Sequence, residues 1–195
     1  MRYQLLDELY DESKISISSI DLKGRLNITD TFVQHLDLSK AGTSLDLGCG
    51  TGEAAEILAH TDLSAVDFSA SMIEKLKHKQ PRIKAFVADA KSLPFESDNF
   101  NLVIALGLFE YIESPDEALK EVHRVLKEDG HLIVSIPNKS SWFRKLRIIE
   151  NLITRPLKVL LSLNSGNPTI EKPFHQQWGR EEFSQILTEN GFEVD

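Results

Sequence analysis

The sequence lacks the features that would point to a secreted or membrane-embedded protein. Cys49 is the single cysteine in 195 residues, so an internal disulfide is excluded and a reducing compartment fits. No apolar run is long enough to span a bilayer, and residues 1–8 lack the apolar core of a secretory signal. We therefore expect a soluble, cytoplasmic protein of one domain.

The sequence also lacks an excess of positive charge. Its formal net charge is −8, which argues against a nucleic-acid substrate, whose phosphates require a basic face. No His/Cys cluster has the spacing of a zinc site, so we expect no metal. A local exception is the basic stretch between residues 139 and 158. The composition thus argues against a nucleic-acid partner.

Glycine is concentrated in one loop. Gly48, Gly50 and Gly52 follow a short apolar strand, alternate with Cys49 and Thr51, and precede helix formers that start at Glu53. Glycines at alternate positions let the backbone turn sharply and approach a ligand closely. A helix beginning at Glu53 would present unpaired N–H groups to that ligand. The strand, loop and helix together predict a nucleotide cradle.

The loop lacks the residues that bind phosphates. A dinucleotide fingerprint requires its third glycine at position 53, and a phosphate loop requires Gly-Lys-Ser/Thr; the sequence has neither. Glu53 at the helix start would repel a pyrophosphate or triphosphate. The loop therefore suits a cofactor with an amino group and no phosphate.

Alternating strands and helices predict an α/β fold with an open, doubly wound, mostly parallel sheet. Ligands bind beyond the carboxyl ends of such strands, where Gly48, Asp67, Asp89 and Leu106 fall. Asp67 has the position of a carboxylate that accepts from two ribose hydroxyls. Ser69 or Ser71 is predicted to cap the following helix, Met72 to Lys79.

Four parts of the chain are distinguished by their patterns. We expect residues 1–40 to form an N-terminal helical cap, residues 41–138 the cofactor-binding core, residues 139–178 a helical insertion or lid, and residues 179–195 the last helix and the start of strand six. In the cap, one short helix is predicted around Leu5–Tyr10, and a second, over residues 28–38, is predicted to pack on the edge of the sheet. In the core, Gly130 is predicted to end the helix that begins after Ser114, before strand five.

The segment Leu45-Asp46-Leu47-Gly48-Cys49-Gly50-Thr51-Gly52 closely resembles motif I of the class I S-adenosylmethionine-dependent methyltransferases. Three later segments match the same family in order and spacing, so the resemblance covers roughly half of the chain, up to Asn138. It departs at Asn101, where the family commonly has aspartate. It also lacks residues for the strand that normally returns antiparallel beside strand six, so the chain is either truncated or completes that edge otherwise.

The resemblance implies a set of cofactor contacts. The loop would pack against the amino-acid end of S-adenosylmethionine, with Asp46 helping to hold its ammonium, often through water. Asp67 would hold the ribose, Phe68 and Met72 would line the adenine pocket, Asp89 would accept from the adenine amine and Ala90 would donate its N–H to a ring nitrogen. The expected cofactor-binding residues are Asp46, Gly48, Cys49, Gly50, Gly52, Asp67, Phe68, Met72, Asp89, Ala90 and Leu106, and the product would be S-adenosylhomocysteine.

The methyl acceptor is predicted less directly. Glu110 and Tyr111 follow strand four, and His175 lies in a polar-aromatic loop, so these three residues are the candidate catalytic bases. The apolar, basic stretch Ser141–Leu163 reads as two helices kinked at Pro156, either packed on the core or covering an apolar, lipid- or sugar-linked acceptor or a membrane surface. The resemblance implies O- or C-methylation of a small molecule.

Two other functional classes remain compatible with the sequence. One is a non-catalytic module that keeps the S-adenosylmethionine pocket for regulation or assembly, since no base is obvious. The other is a nucleotide-sugar or NAD enzyme on the same fold, against which Glu53 argues. Tyr10 and Arg25 are further candidates to reach the cofactor, although each also fits a surface or core position.

Overall fold

The computed structural model describes residues 2–5, 22–36, 42–136 and 176–194. Its strands are β1 (Arg2–Leu5), β2 (Thr43–Leu47), β3 (Asp62–Asp67), β4 (Lys84–Val87), β5 (Phe100–Leu106), β6 (Leu126–Ser135) and β7 (Glu193–Val194). Its helices are α1 (Leu22–His35), α2 (Ala70–Lys79), α3 (Pro115–Val125) and α4 (Arg180–Glu189), with short 3-10 helices at Glu53–Glu56 and Phe109–Tyr111.

The strands form one sheet in the order β4-β3-β2-β5-β6-β1-β7, and every neighbouring pair is parallel. The strand order reverses between β2 and β5, which creates a crevice at their carboxyl ends where ligands bind in such sheets. The glycine loop follows β2 at this point. The prediction of an open, doubly wound, mostly parallel sheet is confirmed.

Both faces of the sheet are covered. On one face α3 and α4 bury residues such as Leu119 and Phe183 against the strands. On the other, Val33 of α1 joins a cluster with Leu102 and Ile104 of β5. The strand β5 is therefore buried on both sides, as its continuous apolar run requires. The second N-terminal helix packs on this face over the central strands, so its predicted place at the edge of the sheet was wrong.

The helix expected behind the glycine loop is shorter than predicted. Only the 3-10 helix Glu53–Glu56 forms, followed by turns that lead into β3. Residues 53–61 must return the chain to the opposite end of the sheet. A 3-10 helix rises about 2.0 Å per residue against about 1.5 Å for an α-helix, so it covers this distance with fewer residues.

The N-terminal residues form a strand. Leu5 lies in β1, paired with Val134 of β6, and not in the helix predicted around Leu5–Tyr10. The edge of β6 offers backbone groups with which Arg2–Leu5 pair, and this pairing holds Leu5 in an extended strand. β1 also pairs with β7, in parallel, so Arg2–Leu5 lie beside the last strand, where the family normally has an antiparallel strand.

The connection from α3 to β6 also differs from the prediction. α3 ends at Val125 and β6 begins at Leu126, which pairs with Phe100, whereas Leu102 pairs with His131. Residues 127–130 are therefore an irregularity in the β5–β6 pairing. A Cβ at Gly130 would lie 2.9 Å from the carbonyl oxygen of Lys127, so this glycine serves the irregularity and does not end a helix.

Several predictions concern residues outside the described ranges. Tyr10, the kinked stretch Ser141–Leu163 and His175 belong to this group, and for Arg25 only the backbone, within α1, is described. Within the described ranges, no helix combines the length and the hydropathy needed to cross a membrane.

Candidate functional site

The three glycines of the loop have positive φ angles: 75° at Gly48, 53° at Gly50 and 82° at Gly52. A Cβ at Gly52 would lie 2.3 Å from Leu76 Cδ1 of α2, and one at Gly48 would lie 3.0 Å from Leu108 Cδ1. A Cβ at Gly50 would meet only the Glu53 carboxylate, at 3.6 Å. Gly48 and Gly52 are thus required for packing, whereas Gly50 lies on the open side of the loop, available to a ligand.

Asp67, at the end of β3, holds the loop in place. Its Oδ2 accepts a hydrogen bond from Gly50 N at 2.9 Å, and its Oδ1 accepts one from Ser69 N at 2.8 Å. Ser69 is the N-cap residue of α2, as predicted, but its hydroxyl makes no capping bond and lies 3.0 Å from the Ser71 hydroxyl. A carboxylate offers about four lone-pair sites, so Asp67 retains capacity for ligand hydroxyls.

Asp46 is a buried carboxylate under the loop. It is 3 % exposed, and within the described ranges no hydrogen bond or ion pair engages its side chain. Burial raises the pKa of Asp46 to about 7, and the nearby carboxylates of Glu53 and Asp67 contribute to the rise. Three carboxyl groups thus meet beside the loop, and none of the ion pairs between described residues brings a cation to them.

The remaining loop side chains are not nucleophiles. Cys49 is 5 % exposed, and burial, followed by the charges of Asp46 and Asp67, raises the pKa of its thiol well above the ordinary range. The thiol therefore stays protonated. Thr51 donates a hydrogen bond from Oγ1 to Glu53, which holds this carboxylate beside the loop.

The ends of β3 and β4 carry the residues expected around a purine base. Phe68 is 79 % exposed. Exposing an aromatic ring that carries no hydrogen-bonding group to water is unfavourable, and such exposure is unusual away from a binding surface. Met72 is half-buried on α2, and Ala90 is 9 % exposed. Asp89 is exposed, and its Oδ1 accepts from Lys91 N at 3.0 Å. The Ala88 N–H bonds to the Asp67 carbonyl at 3.1 Å and joins the two strand ends.

The end of β5 positions the candidate bases. Leu106 is half-buried, and beyond it the 3-10 helix Phe109–Tyr111 carries Glu110, 7 % exposed, and Tyr111, 51 % exposed. The Gln176 N–H donates to the Glu110 carbonyl at 2.7 Å. His175 is outside the described ranges, but this bond places Gln176, the next residue in the sequence, against the loop after β5.

Three features near this end of the sheet were missed by sequence reasoning. Ser135 of β6 accepts from Gly107 N at 2.8 Å and fixes the turn that follows β5. The buried Oε1 of Gln176 has no hydrogen-bond partner in the described part of the chain. Glu121 and Arg124 of α3 bind the loop after β4. The stretch 121–127 matched the family pattern, which was the one available signal for the contact of Glu121 and Arg124 with this loop.

The described residues contain no group of three His, Cys, Asp or Glu side chains placed to hold a metal ion. The site therefore combines the glycine loop, three carboxyl groups beside it, an exposed aromatic ring and the loop that follows β5. It accommodates a ligand with a cationic end, a diol and an aromatic base.

Comparisons with known proteins agree with this description. A family profile described as a methyltransferase domain matches residues 45–134, which extend from β2 to the end of β6. The demethylmenaquinone methyltransferase of Paenarthrobacter aurescens is 32% identical over 142 residues, which cover 70% of this chain and 54% of that protein. A ubiquinone/menaquinone biosynthesis C-methyltransferase of Geotalea uraniireducens is 36% identical over 52% of this chain and 48% of its own length.

The chain spans about half the length of these curated relatives. Among solved structures, a SAM-dependent methyltransferase from Methanosarcina mazei superposes with a TM-score of 0.67 at 22% identity, over 84% of this chain and 85% of that one. This likeness shows a shared fold.

Proposed function

Because the chain belongs to the class I S-adenosylmethionine-dependent methyltransferases, we propose that it binds S-adenosylmethionine at the glycine loop and methylates a small-molecule acceptor. The observation that carries the proposal is the buried, unpartnered Asp46 carboxylate beside Glu53 and Asp67. A buried carboxylate without a partner is costly, and a cationic ligand removes that cost. The ammonium of the cofactor has the charge that this position lacks.

The nucleoside half of the cofactor fits the neighbouring strand ends. Asp67 keeps lone pairs for the two ribose hydroxyls, while its bonds to Gly50 and Ser69 hold it in place. The exposed Phe68 ring offers a face on which adenine stacks. Asp89, with one carboxylate oxygen bonded to its own turn, has the other available for the adenine amine.

The same features argue against the rival cofactors. The bond from Thr51 keeps the Glu53 carboxylate next to the loop, where the pyrophosphate of NAD or of a nucleotide sugar would lie. The negative charges of the Glu53 carboxylate and of a pyrophosphate bound beside it would repel each other. A cofactor without phosphate avoids this repulsion.

When bound, S-adenosylmethionine would supply an activated methyl group, whose carbon bonds to the acceptor atom while the sulfur leaves in line as the thioether of S-adenosylhomocysteine. The chain's own task is to place that atom and to receive its proton. Glu110 and Tyr111 lie at the end of β5, beside the switch point. Together with His175, they remain the candidates for receiving the proton.

For the acceptor we propose a hydroquinone with an apolar tail. Two of the relatives are named as quinone-biosynthesis methyltransferases, and the buried Gln176 Oε1 needs a hydrogen-bond donor, which a phenolic hydroxyl provides. The stretch Ser141–Leu163 and the loop around His175 would cover the opening and select the apolar tail. This part of the proposal rests on their sequence.

The first test is calorimetry of the protein with S-adenosylhomocysteine, NAD and a nucleotide sugar. We expect binding of the first alone, and tighter binding of NAD would refute the proposal. Radiolabelled S-adenosylmethionine is then offered with reduced prenylated naphthoquinone, an O-methyl acceptor phenol and a sugar acceptor. Label on none of them, despite cofactor binding, would favour the non-catalytic module.

The second test uses Gln176→Leu, with Gln177→Leu, an exposed neighbour, as its control. Loss of one hydrogen bond predicts a rise in KM for the hydroquinone of about five- to tenfold in Gln176→Leu only. Because the unpartnered oxygen is removed, the unfolding midpoint should not fall. Equal KM values in the two variants would remove Gln176 from the acceptor site.

A further inference from the structure

The loop between β4 and β5 is attached to α3 by two charged side chains on one helical face. Glu121 accepts the N–H of Leu93 at Oε2, at 2.8 Å. Arg124 donates from Nη1 to the carbonyl of Phe95 at 2.8 Å and from Nη2 to the carbonyl of Leu93 at 3.2 Å. The two side chains also bind each other, at 2.7 Å through Arg124 Nε and at 2.8 Å through Nη2. We call Glu121 and Arg124 the α3 clamp.

The clamp is strongly charge-assisted. The hydrogen bonds that Arg124 donates to Glu121 lower the pKa of the Glu121 carboxyl and raise the pKa of the Arg124 guanidinium, so both groups stay ionised across the physiological range. A bidentate guanidinium–carboxylate pair has a fixed planar geometry. Because each partner also binds the backbone of the loop, the pair sets the position of Leu93 relative to α3.

The clamped segment directly follows the turn that carries Asp89. The N–H of Ser92 bonds to the carbonyl of Asp89 at 3.0 Å and closes this turn. Lys91, within the turn, forms an ion pair with Glu117 of α3 at 3.1 Å. The side chain of Leu93 is 6 % exposed and packs in the core cluster that includes α3. α3 therefore holds the turn by charged contacts at Lys91 and by the clamp two residues later.

We propose that Glu121 and Arg124 are positioning residues for adenine recognition, acting through the loop that carries Asp89 and Ala90. The proposal rests on the proposed function, in which Asp89 accepts from the adenine amine. Neither clamp residue touches the cofactor. They fix the turn, so that the free oxygen of Asp89 and the N–H of Ala90 are already in position to bind adenine before the cofactor arrives.

The test compares S-adenosylhomocysteine with S-inosylhomocysteine, in which a carbonyl replaces the adenine amine. Wild-type protein should prefer the first by about tenfold or more, because the carbonyl cannot donate to Asp89. Asp89→Ala should abolish this preference. Arg124→Gln should reduce it to about twofold, because the loosened turn no longer holds the acceptor in place.

The matched control is Lys120→Gln. Lys120 is an exposed residue of the same helix, so this variant removes the same charge from α3 without touching the loop, and it should keep the full preference. Arg124→Lys retains the charge but loses the planar fork, and it provides a second variant if Arg124→Gln does not fold. We expect an intermediate preference in Arg124→Lys.

The outcomes separate the two levels of the proposal. If wild-type protein binds neither ligand, the proposed function fails. If it binds and discriminates, but Arg124→Gln and Arg124→Lys lose affinity for both ligands equally, the clamp is merely structural and the proposal is overturned. An unchanged preference in Asp89→Ala would also overturn it.

Discussion

Replacing Asp46 with asparagine separates the stability of the protein from its capacity to bind a cationic ligand. The amide keeps the shape of the side chain and removes its charge, which in the free protein has no partner within the described ranges and lies beside Glu53 and Asp67. We therefore expect Asp46→Asn to be more stable than the wild type at pH 8 and to bind S-adenosylhomocysteine more weakly.

The magnitude follows from the shift in pKa. Burial raises the pKa of Asp46 from an ordinary value of 3.8 to about 7, so the folded state binds a proton that the unfolded state has released between these values. Stability therefore falls as pH rises through this window. At about 1.4 kcal/mol per pH unit, the free energy of unfolding of the wild type should fall by about 2–3 kcal/mol relative to Asp46→Asn between pH 5 and pH 8.

Denaturant unfolding at pH 5, 6, 7 and 8 measures this difference. Asp129→Asn is the control, because it makes the same substitution at an exposed carboxylate in the β5–β6 irregularity, away from the glycine loop. Calorimetry at the same pH values should show the affinity of the wild type for S-adenosylhomocysteine rising from pH 6 to pH 8. That rise should be absent in Asp46→Asn, because only the carboxylate attracts the ammonium.

Parallel stability curves for the wild type and Asp46→Asn would refute the reasoning, since they would mean that Asp46 titrates alike in the folded and unfolded states. Equal affinity for S-adenosylhomocysteine at pH 8 would separately remove Asp46 from the cofactor site. The first result concerns the burial of the carboxylate, and the second concerns the ligand.

Further predictions concern the aromatic ring and the glycines. Phe68→Ala should leave the unfolding midpoint unchanged, since the ring is 79 % exposed, and weaken S-adenosylhomocysteine binding by about 1–3 kcal/mol; unchanged affinity in calorimetry would mean that adenine does not stack there. Gly52→Ala should destabilise by more than about 2 kcal/mol, because its Cβ meets Leu76 at 2.3 Å and φ is positive. Gly50→Ala should lose only about 1–2 kcal/mol of stability but most ligand affinity; equal stability losses for the two alanines would contradict the difference in packing.

The central strands and their order along the chain could be predicted because their signals are local. The continuous apolar run of β5 and the glycines after β2 each occupy a few adjacent residues, and their meaning does not depend on distant parts of the chain. Asp67 was placed at a strand end by the same means. The sequence did not show that its carboxylate binds Gly50 and Ser69, because these bonds depend on how the loop folds back over β3.

The features that escaped prediction depend on contacts between distant residues. The strand β1 has too few residues for a periodic pattern, and its pairing depends on the free edge of β6. Gly130 reads as a helix stop until the pairing of Leu126 with Phe100 is known. The α3 clamp joins residues 121 and 124 to a loop almost thirty positions earlier, which no local rule connects.

The place of β1 has a consequence for the order of folding. Its two partners, β6 and β7, are formed by residues 126–135 and 193–194, so β1 can pair only with strands that lie far from it in the sequence. Contacts of such sequence separation carry the largest loop-closure entropy and form slowly. The sheet from β4 to β6 can assemble without them. We therefore expect β1 and β7 to dock last, as one cooperative step, and their amides to be the first of the sheet to exchange with deuterium.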